Sequence, residues 1–318
     1  MGGTALNARV LDKSADLLGG SPEASSQKSL DPGTLVNAKA TFMMVLAGLN
    51  RSPNTLRNYD LTLERWRMSL AERGVTHIRQ YTLAQHAVYL NQLASRGLKG
   101  TTVDLANALL RGFTKFCFEQ GLVDRDPLLG FDRSGSEKPL PKALPWGMVE
   151  EHLLKVKSRY MLAAARDRFL IRLMAWTGLR VGEALALKRA DVNVELRTIR
   201  LVGTKGKEAY QHPFTAKLVP YVEEWVLSSS RQWPTSPWLI PSRTGGRMTT
   251  RAIEKAFKRY GIEPPHTYRH TYGTHIMELT NGDLKAAQEM LRHKDIKSTM
   301  KYLKLWDVKK RALADLIK

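Results

Sequence analysis

The stretch PPHTYRHTYGTHIMEL, residues 264–279, carries the most informative pattern in the chain. Two prolines precede a helical pattern, and proline is favoured in the first turn of a helix because its missing N–H is not needed there. His266 and Arg269 then fall on one face of the helix, while Tyr268 and Tyr272 fall on another. We therefore predict a helix that buries one face in a core and presents two phosphate-binding side chains on the other.

Three histidines in this stretch, His266, His270 and His275, raise the question of a zinc site. Their spacing matches none of the common zinc patterns, and no cysteine or well-placed acidic residue completes a ligand shell. We therefore predict no metal and no cofactor. A lone helical histidine is more often structural than catalytic, so this segment needs support from elsewhere in the chain.

A second segment, TGLRVGEALALKRADV, residues 177–192, supplies that support. Gly178 stands just before a predicted helix, Arg180 lies in its opening turn, and Glu183 follows three residues later on the same face. Free N–H groups at the start of a helix favour an anion there, so Arg180 is placed to meet a phosphate and Glu183 to orient its guanidinium. Taken alone, the segment also fits an ordinary surface ion pair on an amphipathic helix.

The helical pattern that follows Asp283, LKAAQEMLRH, ends at His293. Nine residues further on, Tyr302 stands in STMKYLKLW, a short helix-like segment. The last segment, Asp307–Lys318, has leucine and isoleucine spaced for one apolar face. Two interpretations of that face stay open: it docks on a neighbouring copy of the chain, or it packs on its own domain.

The remaining patterns predict two mainly helical domains. A strand pattern at 198–202, the turn GTKGK at 203–207 and a second strand at 209–214 indicate a β-hairpin inserted among helices. Four prolines between residues 127 and 145 indicate an exposed connection. We accordingly predict a flexible arm at 1–34, a small helical domain at 35–126, a linker at 127–145 and a second, larger domain at 146–318 with a C-terminal tail helix.

The composition points to a polyanionic partner. Lysine and arginine number 50 against 30 acidic residues, and residues 1–133 hold only 16 of the basic and 12 of the acidic ones, so the excess lies in the second part. No apolar run approaches the roughly 18 residues that span a bilayer, and the start of the chain lacks a signal-peptide pattern. We expect a cytoplasmic protein with no membrane role, in which the one cysteine, Cys117, is buried.

Together, these segments closely resemble the tyrosine recombinase, or phage integrase, superfamily, including its Xer-like and integrase members. The resemblance rests on Arg180, His266-x-x-Arg269, His293 and Tyr302 in this order and spacing, and it covers about residues 36–310. SPNTLRNYDLTLERW and LLRGFTKFCFEQGLVDRDP also resemble the family's SAM-like core-binding domain. The implied fold is mainly α with a small β-hairpin or sheet, an α+β catalytic domain forming a two-domain DNA clamp with an all-α partner.

The resemblance also implies roles for these side chains. Arg180 and Arg269 would grip the scissile phosphate, His266 and His293 would hydrogen-bond to it, and Tyr302 would be the nucleophile. A phenol with an ordinary pKa near 10 is mostly protonated at neutral pH, so Tyr302 needs a neighbour that accepts its proton or stabilises phenolate. His266 is our candidate for that neighbour.

Three further positions complete the comparison with the family. Glu183 matches the acidic position after the first arginine. The lysine of the family's hairpin, which protonates the departing 5′ oxygen, is best matched by Lys205, with Lys207 as the competitor. The chain departs from the family at Arg292, where members often have glycine before the histidine.

The function implied is site-specific DNA recombination through a 3′-phosphotyrosine intermediate, on double-stranded DNA, by a homotetramer with accessory proteins as further partners. A type IB topoisomerase shares this chemistry, and a non-catalytic DNA-binding regulator would share the fold. The residues leave open the DNA target and the base-reading side chains. They also leave open the biological role, whether phage integration, transposition, or plasmid or chromosome dimer resolution.

Overall fold

The computed structural model describes residues 31–131, 133, 135–136, 140, 142–202 and 209–314; the side chains of 308–314 are not included. These residues divide into two compact units that meet in the sequence between residues 138 and 139. The predicted arm up to residue 30 and the hairpin turn at 203–208 lie outside the described residues.

The described part of the first unit contains four α-helices, in agreement with the predicted helical domain. Ser52 caps the second helix by accepting a hydrogen bond from the Thr55 N–H, and Pro53 occupies its first turn. The ring of Trp66 packs edge-on against Phe113 in the centre of the core. The helices are α1 (Leu35–Gly48), α2 (Pro53–Ala71), α3 (Leu83–Ser95) and α4 (Gly100–Glu119), with a 3₁₀ turn at Ile78–Gln80.

Cys117 lies on α4 and is fully buried in this core, as predicted. Burial raises the pKa of its thiol to about 12, because the thiolate would lose its hydration. The side chain therefore acts as a small apolar group.

The second unit is mainly helical and contains a small antiparallel sheet with strand order β1-β2-β3. Its helices are α5 (Trp146–Lys155), α6 (Met161–Thr177), α7 (Val181–Ala184), α8 (Val219–Gln232), α9 (Thr250–Tyr260), α10 (Pro265–Leu279), α11 (Leu284–Leu291) and α12 (Lys297–Ala314), and its strands are β1 (Val192–Asn193), β2 (Thr198–Leu201) and β3 (Tyr210–Pro213).

The predicted hairpin is present as β2 and β3, which pair with Ile199 opposite His212. The prediction missed β1, which pairs with the edge of β2 opposite β3. A strand of two residues is too short to produce a period-2 pattern, so only the three-dimensional pairing reveals it.

α6 is the central helix of the second unit, and its last turn leads directly to the predicted site. It ends at Gly178, which adopts the left-handed conformation with φ 65°. A Cβ at this position would collide with the ring of Tyr272 from α10. Glycine therefore allows both the turn and the close approach that brings Arg180 beside α10.

α12 differs from the predicted arrangement. The sequence pattern predicts Tyr302 in a short helical segment and a separate tail helix from Asp307, but one helix runs without a break from Lys297 to Ala314. The interpretations of the tail as docking in cis or in trans stay predictions. No helix among the described residues has the length and apolar character needed to cross a membrane.

Gly273 of α10 forms the surface on which Tyr302 packs. A Cβ at residue 273 would lie 2.8 Å from the Tyr302 ring and 2.9 Å from Leu291. We expect Gly273→Ala to destabilise the docking of α12 by about 1–3 kcal/mol, the usual cost of overpacking a core. Amide hydrogen exchange of residues 297–307 measures how readily α12 detaches from α10.

Gly147→Ala is the matched control, because Gly147 lies in helix α5 and a Cβ there meets nothing within 4 Å. That variant should exchange like the wild type in α12. Unchanged protection of α12 in Gly273→Ala would contradict the predicted collision.

Candidate active site

Arg269 is the most deeply buried member of the candidate site's charged groups, with 2% of its surface exposed. Its guanidinium donates hydrogen bonds to the carbonyl oxygen of Gly178 and, at 2.6 Å, to that of Leu291. Burial, together with the charge of Arg180, lowers its pKa to about 10, so it keeps its proton at neutral pH. One buried cation thus joins α10 to the ends of α6 and α11.

Arg180 stands at the N-terminal cap of α7, where the sequence pattern places it. Its backbone N–H and its Nη1 donate to the two carboxylate oxygens of Glu183, each at 2.8 Å. The Arg180 side chain is 43% exposed, so this ion pair orients the guanidinium without covering it. The positive charges of Arg180 and Arg269 both act on Tyr302.

Tyr302 reaches the site from α12 and is 1% exposed. Its ring stacks on the imidazole of His293, with centroids 6.3 Å apart and planes 12° apart. Lys301 Nζ lies 5.1 Å from the ring centroid. Burial raises the pKa of the phenol to about 12, although Arg269 and Arg180 act in the opposite direction, so the resting hydroxyl keeps its proton.

His270, rather than His266, contacts the hydroxyl of Tyr302. Its Nδ1 lies 2.8 Å from the phenol oxygen. Burial and the neighbouring charge of Lys301 lower the pKa of this imidazole to about 3, so it is neutral at physiological pH. The interpretation of the sequence assigns His270 no role, yet its position four residues after His266 already places both on one helical face.

His266 and His293 border the same cluster. His266 lies exposed at the start of α10, with its ring centroid 5.0 Å from that of His270. His293 follows α11, and its Nδ1 lies 2.8 Å from the hydroxyl of Thr299. Burial lowers the pKa of both imidazoles, to about 4 for His293, and nearby arginines lower them further.

The structure therefore brings together the predicted residues Arg180, Glu183, Arg269, His293 and Tyr302, with His266 at the margin. Lys205 and Lys207 lie outside the described residues. Within the described chain, no group of three histidine, cysteine, aspartate or glutamate side chains is arranged to hold a metal ion.

Arg292 stands directly before His293, at the position where members of the family often have glycine. It ends α11 in the left-handed conformation, with φ 53° and ψ 47°, a region in which glycine is the least strained residue. Its Nη2 donates to Glu183 at 2.7 Å. The local turn that a glycine would make is thus kept, and the side chain adds an ion pair.

A cavity of about 750 Å³ opens beside this cluster and is bordered by the strands of the hairpin. Its charged lining holds five basic side chains, Arg180, Arg200, Lys285, Arg292 and Lys294, and three acidic ones, Glu183, Asp191 and Glu289. β3 is fixed beside the site because His212 Nε2 donates to the Thr177 carbonyl at 2.7 Å. The lining therefore has a small excess of positive charge, which favours an anionic ligand.

Family models and solved structures agree with this architecture. The model described as the phage integrase family matches residues 149–307, and that described as the phage integrase N-terminal SAM-like domain matches residues 42–121. The Tn1549 transposon integrase in complex with a circular intermediate DNA superposes with a TM-score of 0.68, at 17% identity over 85% of this chain and 94% of the other. A lambda integrase dimer bound to a COC′ core site superposes with a TM-score of 0.67, at 17% identity over 85% of this chain and 95% of the other.

The chain belongs to the phage integrase family and is an enzyme of the tyrosine recombinase class. Among curated proteins it is similar to the tyrosine recombinase XerC of Haemophilus influenzae (strain PittEE), with 30% identity over 261 residues, 80% of this chain and 87% of the relative. XerC of Vibrio vulnificus (strain YJ016) is 32% identical over 266 residues, 80% and 82% of the two chains. The predicted recognition, fold class and enzyme class are thereby confirmed.

The neutral His270 makes stability depend on acid pH. Its folded pKa of about 3 lies below the ordinary 6.5, so protons favour the unfolded chain and stability falls as pH drops below 6.5. We expect the free energy of unfolding of His270→Gln, which keeps an acceptor for Tyr302, to fall by about 2 kcal/mol less than that of the wild type between pH 8 and pH 5. Urea unfolding at both pH values measures the difference.

The loss of free energy of unfolding that the wild type shows between the same two pH values is the reference. Equal losses in His270→Gln and the wild type would show that His270 is not held neutral in the folded state.

Proposed function

We propose that this enzyme is a site-specific DNA recombinase in which Tyr302 attacks a scissile phosphate and forms a 3′-phosphotyrosine bond. The observation that carries the proposal is the packing of one phenol hydroxyl within the same charged cluster as two arginine side chains, Arg180 and Arg269. The bond between phosphorus and the 5′ oxygen breaks as the tyrosyl bond forms, so the phosphodiester energy is retained and religation needs no ATP.

The two guanidiniums supply the electrostatic part of this chemistry. Negative charge builds on the non-bridging oxygens during in-line displacement, and fixed cations in a partly dry site stabilise it. The exposed Arg180 can bind the phosphate bidentately, while Arg269 contributes a fixed positive charge from the protein interior. We assign His266 and His293 as further donors to the phosphate.

The proton of Tyr302 needs an acceptor during attack. The neutral His270 is suited to accept a hydrogen bond from the hydroxyl, and His266 lies next to it at the surface of the cluster. Burial and the surrounding cations both hold the histidines neutral, and the negative charge of a bound phosphate offsets the contribution of the cations. We propose that this histidine pair carries the phenol proton away from the attacking oxygen.

Double-stranded DNA with a specific recombination site is the proposed substrate. The Tn1549 and lambda integrases were solved with DNA, as was the XerH recombinase bound to its difH substrate, which supports this assignment. We propose that residues 35–126 form the core-binding domain, 146–318 the catalytic domain and 127–145 their linker after an arm at 1–34. Four copies acting on two duplexes, with accessory proteins, would operate in the cytoplasm.

Covalent capture tests the proposal and identifies the DNA site in the same experiment. Genomic DNA of the source organism, sheared and randomly nicked, would trap the enzyme wherever a nick lets the 5′-hydroxyl fragment diffuse away. We expect a protein–DNA adduct that sequencing maps to discrete sites, and its complete loss in Tyr302→Phe, which keeps the buried ring but lacks the nucleophile.

The two rival functions give different results in the same assays. Binding to DNA without any adduct would indicate a non-catalytic regulator. Relaxation of a supercoiled plasmid that lacks the captured sites would indicate a type IB topoisomerase.

The general acid is tested with a modified leaving group. If Lys205 protonates the 5′ oxygen, Lys205→Ala should slow adduct formation by about 10²–10⁴-fold on a normal duplex. A 5′-bridging sulfur in place of that oxygen should restore the rate, because a thiolate leaves without a proton. Lys207→Ala is the matched comparison, and rescue seen there instead would transfer the role to Lys207.

A further inference from the structure

Arg292 carries a large charged side chain in a backbone conformation that favours glycine. Its φ of 53° and ψ of 47° place it in the left-handed region at the end of α11. Glycine would meet this geometry with less strain, so the backbone alone does not account for an arginine here. The side chain supplies an interaction that a glycine cannot make.

That interaction links two segments that are 109 residues apart in the sequence. Arg292 Nη2 donates at 2.7 Å to Glu183 Oε2, the same oxygen that accepts the backbone N–H of Arg180. The Arg292 side chain is 15% exposed, whereas that of Arg180 is 43% exposed. Glu183 therefore lies between two guanidiniums that both border the cavity beside the site, the more buried one of Arg292 and the more exposed one of Arg180.

We propose that Arg292 is a positioning residue that holds the Glu183 carboxylate in one orientation, so that Glu183 in turn fixes the guanidinium of Arg180 toward the scissile phosphate. This inference rests on the proposed function and extends it to a residue that acts through Glu183. Because one carboxylate is shared by two guanidiniums, the group keeps a net positive charge, and Arg180 still attracts phosphate.

The charges around Glu183 predict how the removal of Arg292 acts. The pKa of Glu183 lies below its ordinary value. Burial acts to raise it, but the charge of Arg292, followed by the contacts with Arg180, lowers it by more. Among the described residues, Glu183 also interacts with Arg269 on α10 and with the neutral His212 on β3. Without Arg292 the pKa of Glu183 should rise, so that Glu183 takes up a proton at a higher pH and releases Arg180.

Arg292→Gly tests the proposal with little risk to folding, because glycine suits this backbone geometry. The probe is a nicked duplex that carries a site recovered by covalent capture, at saturating concentration, in single-turnover adduct formation. We expect the rate to fall by about tenfold or more, as when outer partners of functional ligands are removed. We also expect the acid limb of the pH–rate profile to shift to higher pH.

Two variants control for the backbone and for the charge. Arg197 also adopts the left-handed conformation, with φ 50°, but its side chain is exposed in the turn between β1 and β2. Arg197→Gly should therefore cleave like the wild type. Arg292→Lys should restore part of the rate, because lysine returns the charge but not the planar geometry of the guanidinium.

A titration of the Glu183 carboxyl carbon by NMR, assigned with Glu183→Gln, decides the proposal independently of DNA. A higher pKa in Arg292→Gly than in the wild type supports it, and an unchanged pKa or an unchanged cleavage rate overturns it. If the wild type forms no Tyr302 adduct on any captured DNA, the proposed recombinase function fails, while the titration still reports whether Arg292 holds Glu183.

Discussion

The architecture of the site depends on burying one guanidinium. An arginine removed from water is costly unless its donors are satisfied, and Arg269 meets this condition with two carbonyl oxygens, those of Gly178 and Leu291. Both belong to the C-terminal ends of helices, α6 and α11, where carbonyl groups have no partner within the helix and the dipole is negative. The cation and the helix ends therefore satisfy each other.

The positions of the other functional side chains follow from these two bonds. Arg180 comes two residues after Gly178, and His293 comes two residues after Leu291, so both segments are fixed by the carbonyl that Arg269 binds. Tyr302, the proposed nucleophile, is positioned by the same helix, because its ring packs on Gly273, one turn beyond Arg269. A single helix, α10, thus sets the positions of Arg180, His293 and Tyr302 relative to one another.

Local patterns in the sequence predict the parts of this site that lie on one helix. The shared face of His266 and Arg269 and the pairing of Arg180 with Glu183 follow from helical spacing alone. The contact between His270 and Tyr302 depends on the docking of a distant helix, which no local spacing encodes. The same is true of the link from Arg292 to Glu183, because the sequence signals only a missing glycine and not what its replacement touches.

Because α12 is unbroken, Tyr302 and the end of the described chain belong to one continuous helix. From Tyr302 to Ala314 the helix extends by roughly 18 Å at about 1.5 Å per residue, with the tyrosine seated near its first turns. A displacement of the C-terminal end of α12 would therefore be transmitted along the helix to the ring of Tyr302.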